Sequence, residues 1–296
     1  GIHMDFKQNL CAALSNACGM TAEQIGDMLE TPPNPAMGDF ALPCFKLAKT
    51  FRKAPPAIAA ELARNLGEIE GFSRIETAGG YLNFFTDKSA FARTVIQRVL
   101  SEGDGYGAST EGSGKNICLD YSSINIAKPF GIHHITTTVL GNSLRRIFDH
   151  LGYKTVSINH LGDWGTQFGK MIVAYDKWGD REKIENGNSV RELVALYVKF
   201  HEEAEKDPSL EDEARAAFRR IELHEPHEWE LFQWFKTLTL KDVARVYDLL
   251  GVTFDSYNGE AFYEDKMPAV VQELKDKGLT KIDNGMTIVD LSEYDM

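Results

Sequence analysis

Residues 116–134 read NICLDYSSINIAKPFGIHH and residues 154–170 read KTVSINHLGDWGTQFGK. Each begins as a short apolar strand, at residues 116–121 and 156–158, and runs on into a polar loop. Between them Val139, Leu140, Leu144 and Ile147 recur at helical spacing, and Gly152 ends the helix. Strand, helix and strand within roughly 40 residues predict a right-handed parallel crossover, and hence an α/β domain with a doubly wound sheet. In such sheets ligands bind beyond the carboxyl ends of the strands, where both loops lie.

The loops carry suitable chemistry. Free backbone N–H groups at the helix start attract phosphate, and Lys128 with His133 and His134 adds donors for developing negative charge. In the second loop Gly162, Gly165 and Gly169 alternate with polar and aromatic residues, a pattern suited to backbone wrapped closely around a ligand. No Walker loop, G-x-S-x-G elbow or G-x-G-x-x-G fingerprint occurs, which removes the main support for P-loop hydrolases, serine esterases and dehydrogenases. No protein-bound metal is expected. His160 has no second histidine at helical spacing, and His224 and His227 flank a helix break at Pro226.

Upstream, apolar residues at helical spacing over 5–30 predict a helix, broken by Pro32, Pro33 and Pro35. Further helices are expected from Phe40 through Ala48, after Pro55-Pro56, and over 88–100, the last on an apolar face of Phe91, Val95, Ile96 and Val99. Residues 75–78 and 81–85 around Gly79-Gly80 predict a strand pair. The glycine-rich stretch 101–115 reads as a linker between a small α+β domain (5–100) and a larger domain (116–296). Residues 190–250 read as a helical insertion, and 287–291 as an apolar strand. Residues 1–4 read as an expression remnant, and the chain as a fragment whose parallel sheet lacks further strands.

With 296 residues and a net charge of −12, the chain has the composition of a globular protein of two units. That charge disfavours indiscriminate polyanion binding. Residues 40–64 run against it, with Lys46, Lys49, Arg52, Lys53 and Arg64 opposed only by Glu61, the kind of patch that neutralises nucleic-acid phosphates. Four scattered cysteines predict free thiols. No apolar run approaches the ~20 residues of a membrane span, and a cytoplasmic location is expected.

The two loop motifs together resemble arginyl-tRNA synthetases. Further matches are Gly38-Asp39-Phe40-Ala41, the segment 79–84 (GGYLNF) and the segment 257–263 (YNGEAFY), so the resemblance covers essentially the whole chain. It implies a truncated class I Rossmann-type catalytic domain behind a small α+β domain that contacts tRNA, with Lys46, Lys49, Arg52 and Lys53 as contact candidates. The implied activity is arginine–tRNA ligation, in which the arginine carboxylate attacks the α-phosphate of ATP and the arginyl group passes to tRNA(Arg). Mg²⁺ would accompany ATP, and the protein would be a monomer. Implied roles place Asp120 near the guanidinium, Ser122 and Asn125 at the amino-acid end, Lys128 and His134 on ATP phosphates, and His160, Asp163 and Gln167 along the pocket.

The sequence departs from the family where a His-x-Gly-His signature is expected, reading Gly131-Ile132-His133-His134. A histidine in the glycine's place should obstruct adenine, and loss of the first histidine removes a phosphate donor. Weak or absent ATP binding is therefore expected. Because the family's later arginine-recognition residues, its second signature loop and its anticodon-binding domain would lie beyond Met296, the fragment is expected to be inactive in aminoacylation. A non-catalytic, synthetase-like protein that binds RNA or a partner is the alternative reading.

Overall fold

The apolar spacing over residues 5–30 folds as two helices, α1 (Ile2–Cys18) and α2 (Ala22–Met28). Thr21 starts the second with a reciprocal cap. Its Oγ1 accepts from the Gln24 amide at 3.2 Å, and the Gln24 side chain accepts from the Thr21 amide at 3.0 Å. Such a cap is worth about 1 kcal/mol, enough to divide the run. This is a computed structural model; it describes residues 2–295 and separates into two units that divide after Ala108.

The helix expected from Phe40 is instead a strand, β1 (Phe40–Pro43). All four of its residues are buried, a requirement that extended chain between covering layers meets and a half-exposed helix does not. It joins the expected hairpin, β2 (Phe72–Ala78) and β3 (Tyr81–Thr86), in an antiparallel sheet of order β1-β3-β2, with Phe40 opposite Phe84. Asp39 locks the join, its Oδ2 accepting from the amide and hydroxyl of Thr86 at 2.9 and 2.8 Å. Helices α3 (Ala48–Phe51) and α4 (Pro55–Asn65) follow β1, and Ile58 and Leu62 of α4 enter the core with Leu10, Leu14 and Ile25. The unit's last helix, α5 (Lys88–Glu102), packs Phe91 on Phe6 at 5.4 Å. Ile96 and Val99, expected on its buried face, are exposed.

The glycine-rich stretch is a shorter connection than its composition suggests. Residues 101–102 are the end of α5. Ser109, Gly112 and Lys115 hydrogen-bond to backbone at His150, Leu151 and Lys154, so the stretch from 109 packs into the second unit.

In that unit β4 (Asn116–Asp120), α6 (Ile132–His150) and β5 (Lys154–Ile158) form the predicted crossover, with β4 and β5 parallel. Helix α6 is turned the opposite way from its apolar pattern. Thr138, Gly141 and Asn142 are buried, while Val139, Leu140, Leu144 and Ile147 are exposed. The cause is the Tyr121 ring: a β-carbon at position 141 would stand 2.1 Å from its Cγ, so the glycine face is the only one that approaches this closely.

Helices α7 (Thr166–Trp178), α8 (Arg181–Asn186), α9 (Ser189–Lys206), α10 (Ser209–Glu222) and α11 (Pro226–Leu250) build the main core, centred on Phe168, Phe200, Phe232 and Phe235. Gly169, read above as a ligand-side glycine, belongs to this packing. A β-carbon there would lie 2.0 Å from the Ala214 carbonyl oxygen, so it permits α7 and α10 to touch. Beyond α12 (Met267–Asp276), β6 (Lys281–Asp283) and β7 (Met286–Ile288) form a separate antiparallel hairpin. The strand expected at 287–291 therefore ends early and does not extend the parallel sheet. Among the described residues no helix is long and apolar enough to cross a membrane.

Candidate active site

The loop that leaves β4 is strained and heavily tied down. Ser122, Ser123 and Ala127 have φ of +73°, +50° and +59°, a region that costs non-glycine residues about 1–3 kcal/mol each and persists only where surroundings enforce it. Asn159, fully buried, accepts from the Ser123 amide through Oδ1 at 2.9 Å and donates through Nδ2 to the Tyr247 hydroxyl at 2.8 Å. Tyr247 and Ser122 hydroxyls lie 2.7 Å apart, those of Ser122 and Thr138 also 2.7 Å, and Thr138 donates to the His134 carbonyl at 2.5 Å. Each hydroxyl has one proton and the carbonyl only accepts. The protons therefore run one way, from Asn159 through Tyr247, Ser122 and Thr138 to His134. Burial pushes the Tyr247 phenol pKa up, which keeps that donor protonated. The Ala127 amide donates to Thr239 Oγ1 at 3.1 Å.

The two motif loops meet. Asn125 and Gly162 form a parallel bridge, with Gly162 N donating to Ile124 O at 2.9 Å and Ile126 N to Gly162 O at 3.1 Å. The β4–β5 pairing thus resumes beyond the strand ends. A cavity of about 250 Å³ opens beside this join, bordered by Asn125, Lys128 and Gln167 with Phe168, Met171 and Tyr197.

At the start of α6 the Gly131 amide donates to His134 Nδ1 at 2.9 Å. That bond requires an unprotonated Nδ1, so the neutral ring carries its proton on Nε2, as a donor. Burial first, then the neighbouring His133 and Lys128 charges, lower the His134 pKa and favour the neutral form. The His133 and His134 rings lie 3.9 Å apart. A β-carbon at Gly131 would stand 2.8 Å from His133 Cε1, so the residues at 131 and 133 compete for one space.

The sequence-derived candidates thus fall into groups. Asn125, Lys128 and Gln167 border the cavity. Gly131, His133 and His134 sit at the α6 N-terminus. Asp120 is exposed at the end of β4 and accepts from Ser123 Oγ at 3.0 Å. His160 turns to the segment 257–263, its Nδ1 lying 3.2 Å from the Asn258 carbonyl. Ser122 and Asp163 are turned inward. Asp163 is fully buried, its Oδ1 accepting from the Ala261 amide and its Oδ2 paired with Lys236 Nζ, both at 2.8 Å. His224 and His227 go to different carboxylates, Glu264 at 2.6 Å and Asp176 at 2.9 Å.

Sequence reasoning missed Lys236, Thr239 and Tyr247 of α11. The available signal was polar side chains at core spacing, beside Phe235 and Val243.

In the leading unit Lys46 pairs with Glu30 at 3.0 Å and Lys53 with Glu61, while Lys49 and Arg52 are exposed. Beside them Phe45 and Tyr81 form an exposed edge-to-face pair, centroids 6.0 Å apart.

The family model described as "tRNA synthetases class I (R), catalytic domain" matches residues 95–296, and "Arginyl tRNA synthetase N terminal domain" matches residues 4–86. The chain belongs to the arginyl-tRNA synthetase family. Similar curated proteins include the arginine–tRNA ligases of Alkaliphilus metalliredigens, 52% identical over 293 residues, and Clostridium beijerinckii, 53% identical over 293 residues. Each match covers 99% of this chain and 52% of the relative, so the chain spans about half the length of these synthetases. Among solved structures, arginyl-tRNA synthetase from Plasmodium falciparum superposes with a TM-score of 0.57 at 20% identity, over 88% of this chain and 47% of that one. At that identity the likeness speaks to fold, and it agrees with the expected class I architecture.

Proposed function

We propose that this chain carries the tRNA-contact domain, about residues 5–100, and the first part of the catalytic domain, from about 116, of an arginine–tRNA ligase. The carrying observation is the join of the two motif loops at the Asn125–Gly162 bridge, beyond the carboxyl ends of β4 and β5.

In this reading Asp120 supplies an exposed carboxylate for the guanidinium, a planar cation with five donors. Asn125 and Gln167 offer amide groups at the cavity rim, and Lys128 and the Nε2–H of His134 face the phosphates of ATP, with Mg²⁺ accompanying the nucleotide. His133 sits beside them, and His160 positions the wall formed by residues 257–263. Ser122 and Asp163 serve from within, by holding the loops rather than by touching ligand. Catalysis is positioning and charge stabilisation, because the substrate's own carboxylate is the nucleophile. In the leading domain Lys49 and Arg52 meet tRNA phosphates, Lys46 and Lys53 do so on leaving their ion pairs, and the Phe45–Tyr81 pair offers a face for an unpaired base.

The Gly131–His134 departure supports weak ATP binding and no turnover by this chain alone. Calorimetric titration with L-arginine and with ATP tests the site, and ATP–pyrophosphate exchange with tRNA(Arg) present tests turnover. Arginine binding without exchange is expected. Binding of RNA with neither small molecule would favour the non-catalytic alternative.

A further inference from the structure

We propose that α11 splints the candidate site: Lys236, Thr239 and Tyr247 are positioning residues that hold both motif loops in shape. At 100° per residue these three side chains fall within about 80° of one another around the helix, on a stripe that also carries buried Val243. A stripe in that place would ordinarily be apolar throughout. Here each polar group reaches a different part of the loops. Lys236 Nζ meets Asp163 Oδ2 at 2.8 Å, Thr239 Oγ1 takes the Ala127 amide at 3.1 Å, and the Tyr247 hydroxyl lies 2.7 Å from Ser122 and 2.8 Å from Asn159.

The three left-handed residues of the β4 loop are the ones so served. Ser122 and Ala127 bond to α11 directly, and Ser123 bonds to it through Asn159. None of the three α11 residues borders the cavity, so they act through the loops and not on ligand. Their hold on loop shape stands by itself, whereas their effect on affinity rests on the arginine and ATP reading above.

The test compares the unaltered chain with Thr239→Val, Thr239→Ser and Tyr247→Phe. The readouts are amide hydrogen exchange at Ser123 and Ala127, and calorimetric affinity for L-arginine and ATP. Valine keeps the shape of threonine and loses the hydroxyl; serine does the reverse. Positioning therefore predicts about tenfold or faster exchange at Ala127 and about tenfold weaker ligand binding for valine, with serine restoring both. Tyr247→Phe should speed exchange at Ser123. Unchanged Ala127 exchange in the valine variant, or serine as the worse substitution, would make Thr239 a packing residue and overturn the proposal. Faster exchange with unchanged affinity would equally overturn it, by separating loop shape from binding. If the unaltered chain binds neither ligand, the functional reading fails, and the exchange data alone still decide the role of α11.

Discussion

Asn125 stands directly against Gly162: its Oδ1 lies 1.9 Å from where a β-carbon at that glycine would be. Gly162 cannot retreat, because it is bonded on both sides to Ile124 and Ile126. Gly162→Ala should therefore cost about 1–3 kcal/mol, as overpacking does, and rotate the Asn125 amide away from the cavity. Urea denaturation and arginine titration measure the two effects. A variant as stable and as competent as the parent would mean the contact is looser than described.

Gly141→Ala reverses a general rule. In a helix interior this change usually stabilises by about 1 kcal/mol. Here the new methyl would sit 2.1 Å from the Tyr121 ring, so a drop in thermal midpoint is expected, and a rise would refute the packing of α6 on Tyr121.

Positions 131 and 133 should behave as a coupled pair. Gly131→His alone meets the His133 ring at about van der Waals overlap, while His133→Gly alone empties that space. In a double-mutant cycle the combined variant should be more stable than the sum of the single changes by about 0.5–3 kcal/mol. It should also bind ATP more tightly than the parent. Additive stabilities, together with equal ATP affinities, would remove the steric argument.

His134 has a pKa lowered by burial and by neighbouring positive charge. A histidine of this kind binds fewer protons folded than unfolded, so stability rises with pH across the interval between its two pKa values. Acidification from about pH 7 towards 5 should therefore weaken the fold, and His134→Gln should remove that part of the slope. An NMR titration placing the His134 pKa above the ordinary histidine value would contradict the assignment.

The thiols should differ sharply. Burial, with Cys18 adding to it, pushes the Cys44 pKa up to about 11, while Cys118 is exposed. A thiol reagent at mild alkaline pH should modify Cys118 first and leave Cys44 unmodified until the protein unfolds. Mass spectrometry of the labelled chain reads the order directly.

The crossover was legible because both of its strands and its glycine stop are local patterns, as was the hairpin at 72–86. The strand at Phe40–Pro43 was not, since four buried residues in succession take their conformation from the neighbour they pair with. Asn125, Lys128 and Gln167 were found from their place in the motifs, and the structure brings them to one cavity. Ser122 and Asp163 were read from the same motifs as ligand-facing, yet they point inward, because their partners Tyr247 and Lys236 lie far along the chain.

By itself, then, the sequence determined the family, the parallel crossover and which two loops hold the family's motifs, all of which follow from residues close together in the chain. Only the tertiary structure decided which side chains of those loops face the cavity and which face α11, and which side of α6 is buried. The inward turn of the loops rests on partners far along the chain, Tyr247 for Ser122 and Lys236 for Asp163, and the buried side of α6 on the fit of Gly141 against the Tyr121 ring; no local periodicity encodes where such partners meet.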